Sequence, residues 1–281
     1  MNTPPHFLPF AKPKFSDAAI EAVSAVLRSA WVTTGPKLAE FEHALSQYFG
    51  RPTLCFANGT CTMEVALQLA GIGPGDEVIT TPITWVATAN VIEQAGARAV
   101  FADINSNTRN LNPDAVAACI GPKTKAIMPV HLAGVPSDLD AIYALAQRHH
   151  LTVIEDAAQA IHSRAQGRLV GSFGGYASFS FQANKNLTTA EGGCLVLPDD
   201  SQIERAKRLR LQGVERRGVD EIILQELGGK FNMTDIAAVL GLDQLQQLDT
   251  ITEHRRNLAT HYQLCLTQTN AAKYADLPVW D

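Results

Sequence analysis

The chain has 281 residues, and its 28 acidic side chains against 23 basic ones leave a formal net charge of −5. No basic block, and no basic stretch interleaved with aromatics, offsets that charge, so nucleic acid is not expected as a partner. No apolar run is long enough to span a bilayer, the start lacks the basic and apolar regions of a signal peptide, and the five cysteines are scattered without a C-x-x-C; a reducing compartment, the cytoplasm, is the expected location, with no membrane partner.

After a proline-rich lead, Ser16-Asp17 is expected to cap a helix reaching about Arg28, with Ala22, Val23, Val26 and Leu27 on its apolar side. Trp31-Val-Thr-Thr-Gly-Pro36 reads as a loop, followed by a helix from about Lys37 to Tyr48. Thereafter strands and helices alternate. Strands are expected at Thr53–Ala57, Glu77–Thr81, Ala99–Asp103, Lys125–Val130 and Thr152–Glu155, and helices at Cys61–Ala70, Trp85–Ala95, Pro113–Cys119 and Ser137–His149. Two more strands, Ala177–Phe181 and Cys194–Leu197, flank a polar segment. Helices follow at Gln202–Leu211, at Thr234–Leu248 and from Ile251 toward Cys265. Nearly continuous apolar strands alternating with helices imply an α/β fold with a mostly parallel sheet covered on both faces.

Four places carry chemistry. In Phe179-Ser-Phe-Gln-Ala-Asn-Lys185-Asn-Leu-Thr-Thr-Ala-Glu-Gly-Gly193 a strand delivers one lysine into a polar turn at the mouth of the sheet. Such an amine could form a Schiff base with an aldehyde if its surroundings lower its pKa; a solvated surface lysine is the plain alternative. Asp156 ends the strand Thr152-Val-Ile-Glu, where open α/β sheets bind ligands, and could pair with a protonated heterocyclic nitrogen or simply cap a helix. Asn58-Gly59-Thr60-Cys61-Thr62 joins a strand to a helix whose first amides lack internal partners, which suits either a phosphate or an ordinary cap. Trp85 stands after another strand end, able to stack on a flat ring or to join the core.

Other motifs fail. Gly71-x-Gly73-x-Gly75 follows a helix and precedes a strand, the reverse of a dinucleotide fingerprint. There is no G-x-S-x-G elbow, and His149-His150 lacks metal-ligand spacing.

Taken together, Asn58-Gly-Thr, Trp85, Ile154-Glu-Asp156-Ala-Ala-Gln159 and the Phe179–Gly193 segment resemble the DegT/DnrJ/EryC1/StrS family. This is a family of pyridoxal-phosphate-dependent sugar aminotransferases with the type I aminotransferase fold. The resemblance runs from about Pro9 to the end and includes Trp31–Pro36, Gly75-Asp-Glu-Val78 and Pro129-Val-His131-Leu-Ala-Gly134. It implies that Lys185 binds the cofactor aldehyde and moves the substrate proton, and that Asp156 pairs with the pyridinium nitrogen. Trp85 would stack on the ring, Gln159 would lie near its phenolic oxygen, and Gly59, Thr60, Cys61 and Ser180 would surround the phosphate. Asn232 would reach the phosphate of the neighbouring subunit, making a homodimer with shared sites. A sugar dehydratase branch carries His in place of the lysine, so Lys185 favours transamination.

The resemblance further implies pyridoxal 5'-phosphate as cofactor, glutamate or glutamine as amino donor, and a nucleotide-linked keto sugar as acceptor, with a 4-keto sugar favoured by Trp31–Pro36 and Ala190-Glu-Gly-Gly. Residues 1–250 are expected to form the cofactor-binding large domain. Residues 251–281 are expected to be a linker helix and the start of a small C-terminal domain cut short, because Ala271–Asp281 does not read as an ending. Another reaction on the same fold, an aldolase or desulfurase, and a cofactor-binding remnant without full activity are the competing readings.

Overall fold

The computed structural model describes residues 7–218 and 221–269. In chain order its elements are α1 (Asp17–Ser29), α2 (Pro36–Phe49), β1 (Thr53–Phe56), α3 (Gly59–Leu69), β2 (Glu77–Thr80), α4 (Ala87–Gln94), β3 (Arg98–Phe101), α5 (Pro113–Cys119), β4 (Thr124–Ile127), α6 (Leu139–His149) and β5 (Thr152–Asp156). There follow β6 (Arg164–Ala165), β7 (Arg168–Leu169), β8 (Tyr176–Ser180), β9 (Gly193–Val196), α7 (Ile203–Arg210), β10 (Val214–Arg217), β11 (Glu221–Leu224), α8 (Asp235–Gln246) and α9 (Leu248–Gln268). The closing stretch Ala271–Asp281 lies outside the described residues.

Local chemistry sets the helix ends. The Ser16 hydroxyl accepts the Ala19 amide at 3.0 Å and starts α1, as the sequence suggests. Helix α2 begins after Gly35, which has no side chain to cap it. Its cap comes from afar: the buried Asp235 carboxylate, on α8, accepts the Lys37 and Leu38 amides at 3.1 and 2.9 Å. The Trp31–Pro36 loop is thereby tied to α8.

Seven strands form one sheet in the order β1-β9-β8-β5-β4-β2-β3. The β8-β5-β4-β2-β3 pairings are all parallel. The β1-β9 and β9-β8 pairings are antiparallel, because β9 returns beside β8 through the Lys185 loop with no helical crossover. The sheet is therefore mixed, its parallel majority as expected. The short hairpins β6-β7 and β10-β11 have no counterpart in the expected elements.

Alternation along each strand assigns the two faces. Val78, Ala126, Ile154, Tyr176 and Leu195 pack against α3, α4 and α7. Their neighbours Ile79, Ile127 and Val153 face α5 and α6. Cys194, Ala177 and Phe179 continue that second face toward α2 and α8. Both faces are covered, so the strands read as unbroken apolar runs.

At the β1 edge, Cys55 turns its N–H and C=O away from β9. The Glu42 carboxylate accepts that N–H at 2.8 Å, and the Arg210 guanidinium donates to the C=O at 2.7 Å and to Glu42 itself. Two residues on, the Ala57 amide donates to Phe231 O at 2.7 Å.

Candidate active site

The C-terminal ends of β1, β8, β5, β4 and β2 open on one edge of the sheet, and β9, running the other way, presents its start there. That edge collects the turns holding Asn58-Gly59-Thr60, Ser180–Lys185, Asp156, His131, Trp85 and Gly192-Gly193. The strand-end rule for α/β sheets thus places every predicted site element except Asn232.

Lys185 sits in the loop from β8 to β9, and local bonds hold that loop. The Phe181 carbonyl accepts the Thr189 amide at 2.9 Å and the Thr188 hydroxyl at 3.0 Å, while the Phe181 amide donates to Gly192 O at 2.8 Å. Leu187, Thr188 and Thr189 are buried. Lys185 is half-buried and lines a cavity of about 180 Å³ with Ala133, Gln159, Asn184 and Asn186. Burial lowers its pKa, against the opposing pull of the Asp156 charge, which raises the share of free amine.

Asp156 is buried at the end of β5. Its Oδ2 accepts the Thr88 hydroxyl at 2.7 Å and its Oδ1 accepts the Ala158 amide at 3.2 Å. Burial raises its pKa; these two bonds and the Lys185 charge pull it back. The neighbouring Glu155 points to the other face of the sheet. It accepts the Tyr143 hydroxyl at 2.7 Å and meets His131 Nε2 at 3.1 Å. His131 Nδ1 accepts the Ser137 amide at 3.0 Å, which puts the proton of the neutral imidazole on Nε2, donating to Glu155.

The turn before α3 is built for close approach. Asn58 caps the helix by accepting the Cys61 amide at 2.9 Å, and the Cys61 thiol donates to Asn58 O at 3.0 Å. Burial pushes that thiol up to about 12. Both Cys61 donors are thus engaged within the turn. A Cβ on Gly59 would stand 2.9 Å from the Ser180 Cβ; one on Gly193 would lie 2.6 Å from Phe179 O and 2.7 Å from Gly59 N. Two glycines and a serine let β8, β9 and the start of α3 pack backbone to backbone, and they put a helix N-terminus, a setting suited to an anion, at this edge.

Gln159 lines the Lys185 cavity and accepts the Ala133 amide through Oε1 at 2.7 Å. Trp85 is 79% exposed on the segment leading into α4. Asn232 donates to Thr34 Oγ1 at 3.1 Å and accepts from Lys230 Nζ at 2.9 Å, so its side chain is engaged with the Trp31–Pro36 loop of the same chain. Among the described residues no cluster of His, Cys, Asp and Glu could hold a metal ion, and no helix is long and apolar enough to cross a membrane.

The DegT/DnrJ/EryC1/StrS aminotransferase family matches this chain over residues 13–281. The chain belongs to that family. It is 40% identical over 272 residues to the spore coat polysaccharide biosynthesis protein SpsC of Bacillus subtilis (strain 168), covering 94% of this chain and 70% of that protein. The putative sugar aminotransferase Spr1654 from Streptococcus pneumoniae, in its PMP-form, superposes with a TM-score of 0.89 at 33% identity, over 92% of this chain and 72% of that one. Helicobacter pylori PseC, an aminotransferase involved in the biosynthesis of pseudoaminic acid, gives 0.88 at 31% identity, over 93% and 71%.

This aminotransferase is therefore a pyridoxal-phosphate-dependent transferase of the type I fold. Its site offers what such a cofactor requires: a half-buried amine for the aldehyde, a buried carboxylate for the ring nitrogen, and a glycine-lined helix start for the phosphate. Two contributors escape a reading by motif. Thr88 lies three residues beyond Trp85, in the first turn of α4, and a lone Thr carries no signal. Gly193 reads as part of a turn, and its contact with Gly59 becomes visible only once β9 lies beside β1.

Proposed function

We propose that this aminotransferase moves an amino group from glutamate or glutamine to a nucleotide-linked keto sugar, favouring a 4-keto sugar, in the assembly of a cell-surface polysaccharide. The observation that carries the reading is Lys185, half-buried beside a cavity and paired in charge with the buried Asp156. The names of SpsC and PseC, each tied to making a polysaccharide or a sugar acid, support the acceptor class.

In this reading Lys185 would hold the cofactor aldehyde, and Gly59, Thr60, Cys61 and Ser180 would surround the phosphate. Trp85 would cover the ring face, Gln159 would lie near the phenolic oxygen, and Asp156 would keep the ring nitrogen protonated. When bound, pyridoxal phosphate supplies the electron sink that lets a proton leave the amino-bearing carbon. The chain supplies the rest. The Lys185 amine, its proton affinity lowered by burial, takes that proton at Nζ and returns it on the opposite side of the exchange. Asp156, ionised and fixed by two hydrogen bonds, holds a proton on the ring nitrogen. The loop's buried Thr188 and Thr189 limit how far Lys185 travels.

Asn232 completes the phosphate site of the neighbouring subunit, so the working unit is a homodimer. The described residues up to 250 form the cofactor-binding domain, and α9 leads away from it as a linker helix. In support, α9 buries only Leu248 and Thr252, near its start, and exposes Leu258, Tyr262 and Leu264. The free cysteines support a reducing compartment, the cytoplasm.

The test is spectroscopic and then chemical. The purified protein with pyridoxal phosphate should turn yellow and be bleached by glutamate or glutamine. The bleached form should regain colour with a nucleotide-linked 4-keto sugar and remain bleached with the free sugar. Failure of every nucleotide-linked 4-keto sugar to restore colour, while keto acids other than the donor's own product restore it, would sink the acceptor assignment.

A further inference from the structure

Thr88 has no role in the site as read from motifs, yet it stands at its centre. It is fully buried in the first turn of α4, and its hydroxyl is within hydrogen-bond distance of three groups: Asp156 Oδ2 at 2.7 Å, Trp85 O at 3.1 Å and Thr84 Oγ1 at 3.0 Å. A hydroxyl has one proton. Facing an ionised carboxylate at the shortest of these distances, that proton goes to Asp156, since charge-assisted bonds are the stronger ones. The Thr84 hydroxyl then donates to the Thr88 oxygen. A chain runs from Thr84 through Thr88 to Asp156, each bond polarising the next.

The same threonine donates its backbone amide to Trp85 O at 3.2 Å. One residue thus joins the segment that carries Trp85 to the end of the strand that carries Asp156. Besides Thr88, the Asp156 carboxylate accepts only the Ala158 amide among the described residues. The charged or titratable groups that face it from packed elements are His131, after β4, and Lys185, after β8; Glu155, its neighbour on β5, is turned toward His131 and Tyr143.

We propose that Thr88, backed by Thr84, is a positioning residue that sets Asp156 and Trp85 relative to one another and holds Asp156 in its ionised form. The proposal rests on the reading above, in which those two residues meet the cofactor ring. Removing the hydroxyl leaves a buried carboxylate with one donor fewer. Its proton affinity then rises, and the acid limb of any rate that needs ionised Asp156 moves to higher pH.

The experiment compares Thr88→Val, which keeps the shape and loses the hydroxyl, with Thr88→Ser, which keeps the hydroxyl, and with Asp156→Asn. Each is measured as apoprotein for pyridoxal phosphate affinity, by quenching of tryptophan fluorescence, and as holoenzyme for its pH profile. Thr88→Val should bind the cofactor about tenfold more weakly and move the acid limb up by roughly one pH unit, the scale of a hydrogen bond to a charged group. Thr88→Ser should stay within about twofold of the parent on both counts. If Thr88→Val does not fold, Thr84→Val should give a smaller shift in the same direction. The proposal is overturned if Thr88→Val leaves the limb and the affinity unchanged, or if Thr88→Ser fails as badly as Thr88→Val. Should Asp156→Asn itself change neither, the underlying assignment of Asp156 is what has failed.

Discussion

The two halves of the sheet supply the site in different ways. The parallel half, β5-β4-β2-β3, contributes side chains in buried hydrogen-bond networks: Asp156 with Thr88, and Glu155 with His131 and Tyr143. The antiparallel half, β8-β9-β1, contributes backbone: the close-packed glycines Gly59 and Gly193 at the start of α3, and a Lys185 loop tied by its own carbonyls. A side-chain network depends on a few donors and fails when one is removed. Close backbone packing depends on the absence of atoms and fails when one is added.

The largest effect should come from the antiparallel half's proposed proton-transfer residue. Lys185→Ala should lower transamination by about a thousandfold or more, the upper range for removing a proton-transfer group, and should abolish covalent capture of the cofactor on borohydride reduction, read by mass spectrometry. Retained turnover would remove Lys185 from its role. On the parallel half, Asp156→Asn should slow the reaction by roughly ten- to a hundredfold, the scale of a charged hydrogen bond.

The same substitution gives the comparison a thermodynamic edge. The folded-state pKa of Asp156 is raised above its unfolded value, mainly by burial. Such a group contributes stability that is fully present below the unfolded pKa and is lost as pH rises through the folded one. At neutral pH Asp156 is therefore a burden on the apoprotein. Asp156→Asn should raise its melting temperature by about 2–4 °C per kcal/mol relieved, and the gain should vanish as pH falls below the unfolded value. A melting temperature that falls at neutral pH would show that its hydrogen bonds outweigh its burial.

Gly193→Ala probes the opposite failure. Its Cβ would stand 2.6 Å from Phe179 O, and overpacking of this kind costs about 1–3 kcal/mol. Affinity for pyridoxal phosphate should fall more than affinity for pyridoxal, because the crowding is at the phosphate turn. Equal losses would place the damage elsewhere. The smallest stability effect belongs to Trp85→Phe. With the side chain 79% exposed, stability should change by no more than about 0.5 kcal/mol, while activity falls measurably.

Much of this arrangement is legible in the sequence because strand ends are legible. Ile154-Glu-Asp156 announces a buried strand closing on a carboxylate, and Ser180 lies in, and Lys185 follows, a strand whose alternation is plain. Residues whose meaning depends on strand order are not legible. That β9 runs antiparallel beside β1 is what brings Gly193 under Gly59, and no local pattern states it. The β10-β11 hairpin is missed because Val214–Arg217 is mostly charged and polar, without the apolar run of a core strand. Asp235 reads as a helix-start acid, yet it caps a different helix, a contact nearly two hundred residues distant in sequence.

The Glu42–Arg210 pair on Cys55 has a consequence for behaviour in crowded solution. An edge strand with free N–H and C=O groups is a template on which another chain can add itself. Here a carboxylate and a guanidinium occupy the two groups that an incoming strand would need. Growth beyond β1 would have to break charged bonds before forming neutral ones, so the pair acts as a chemical end-stop for the sheet.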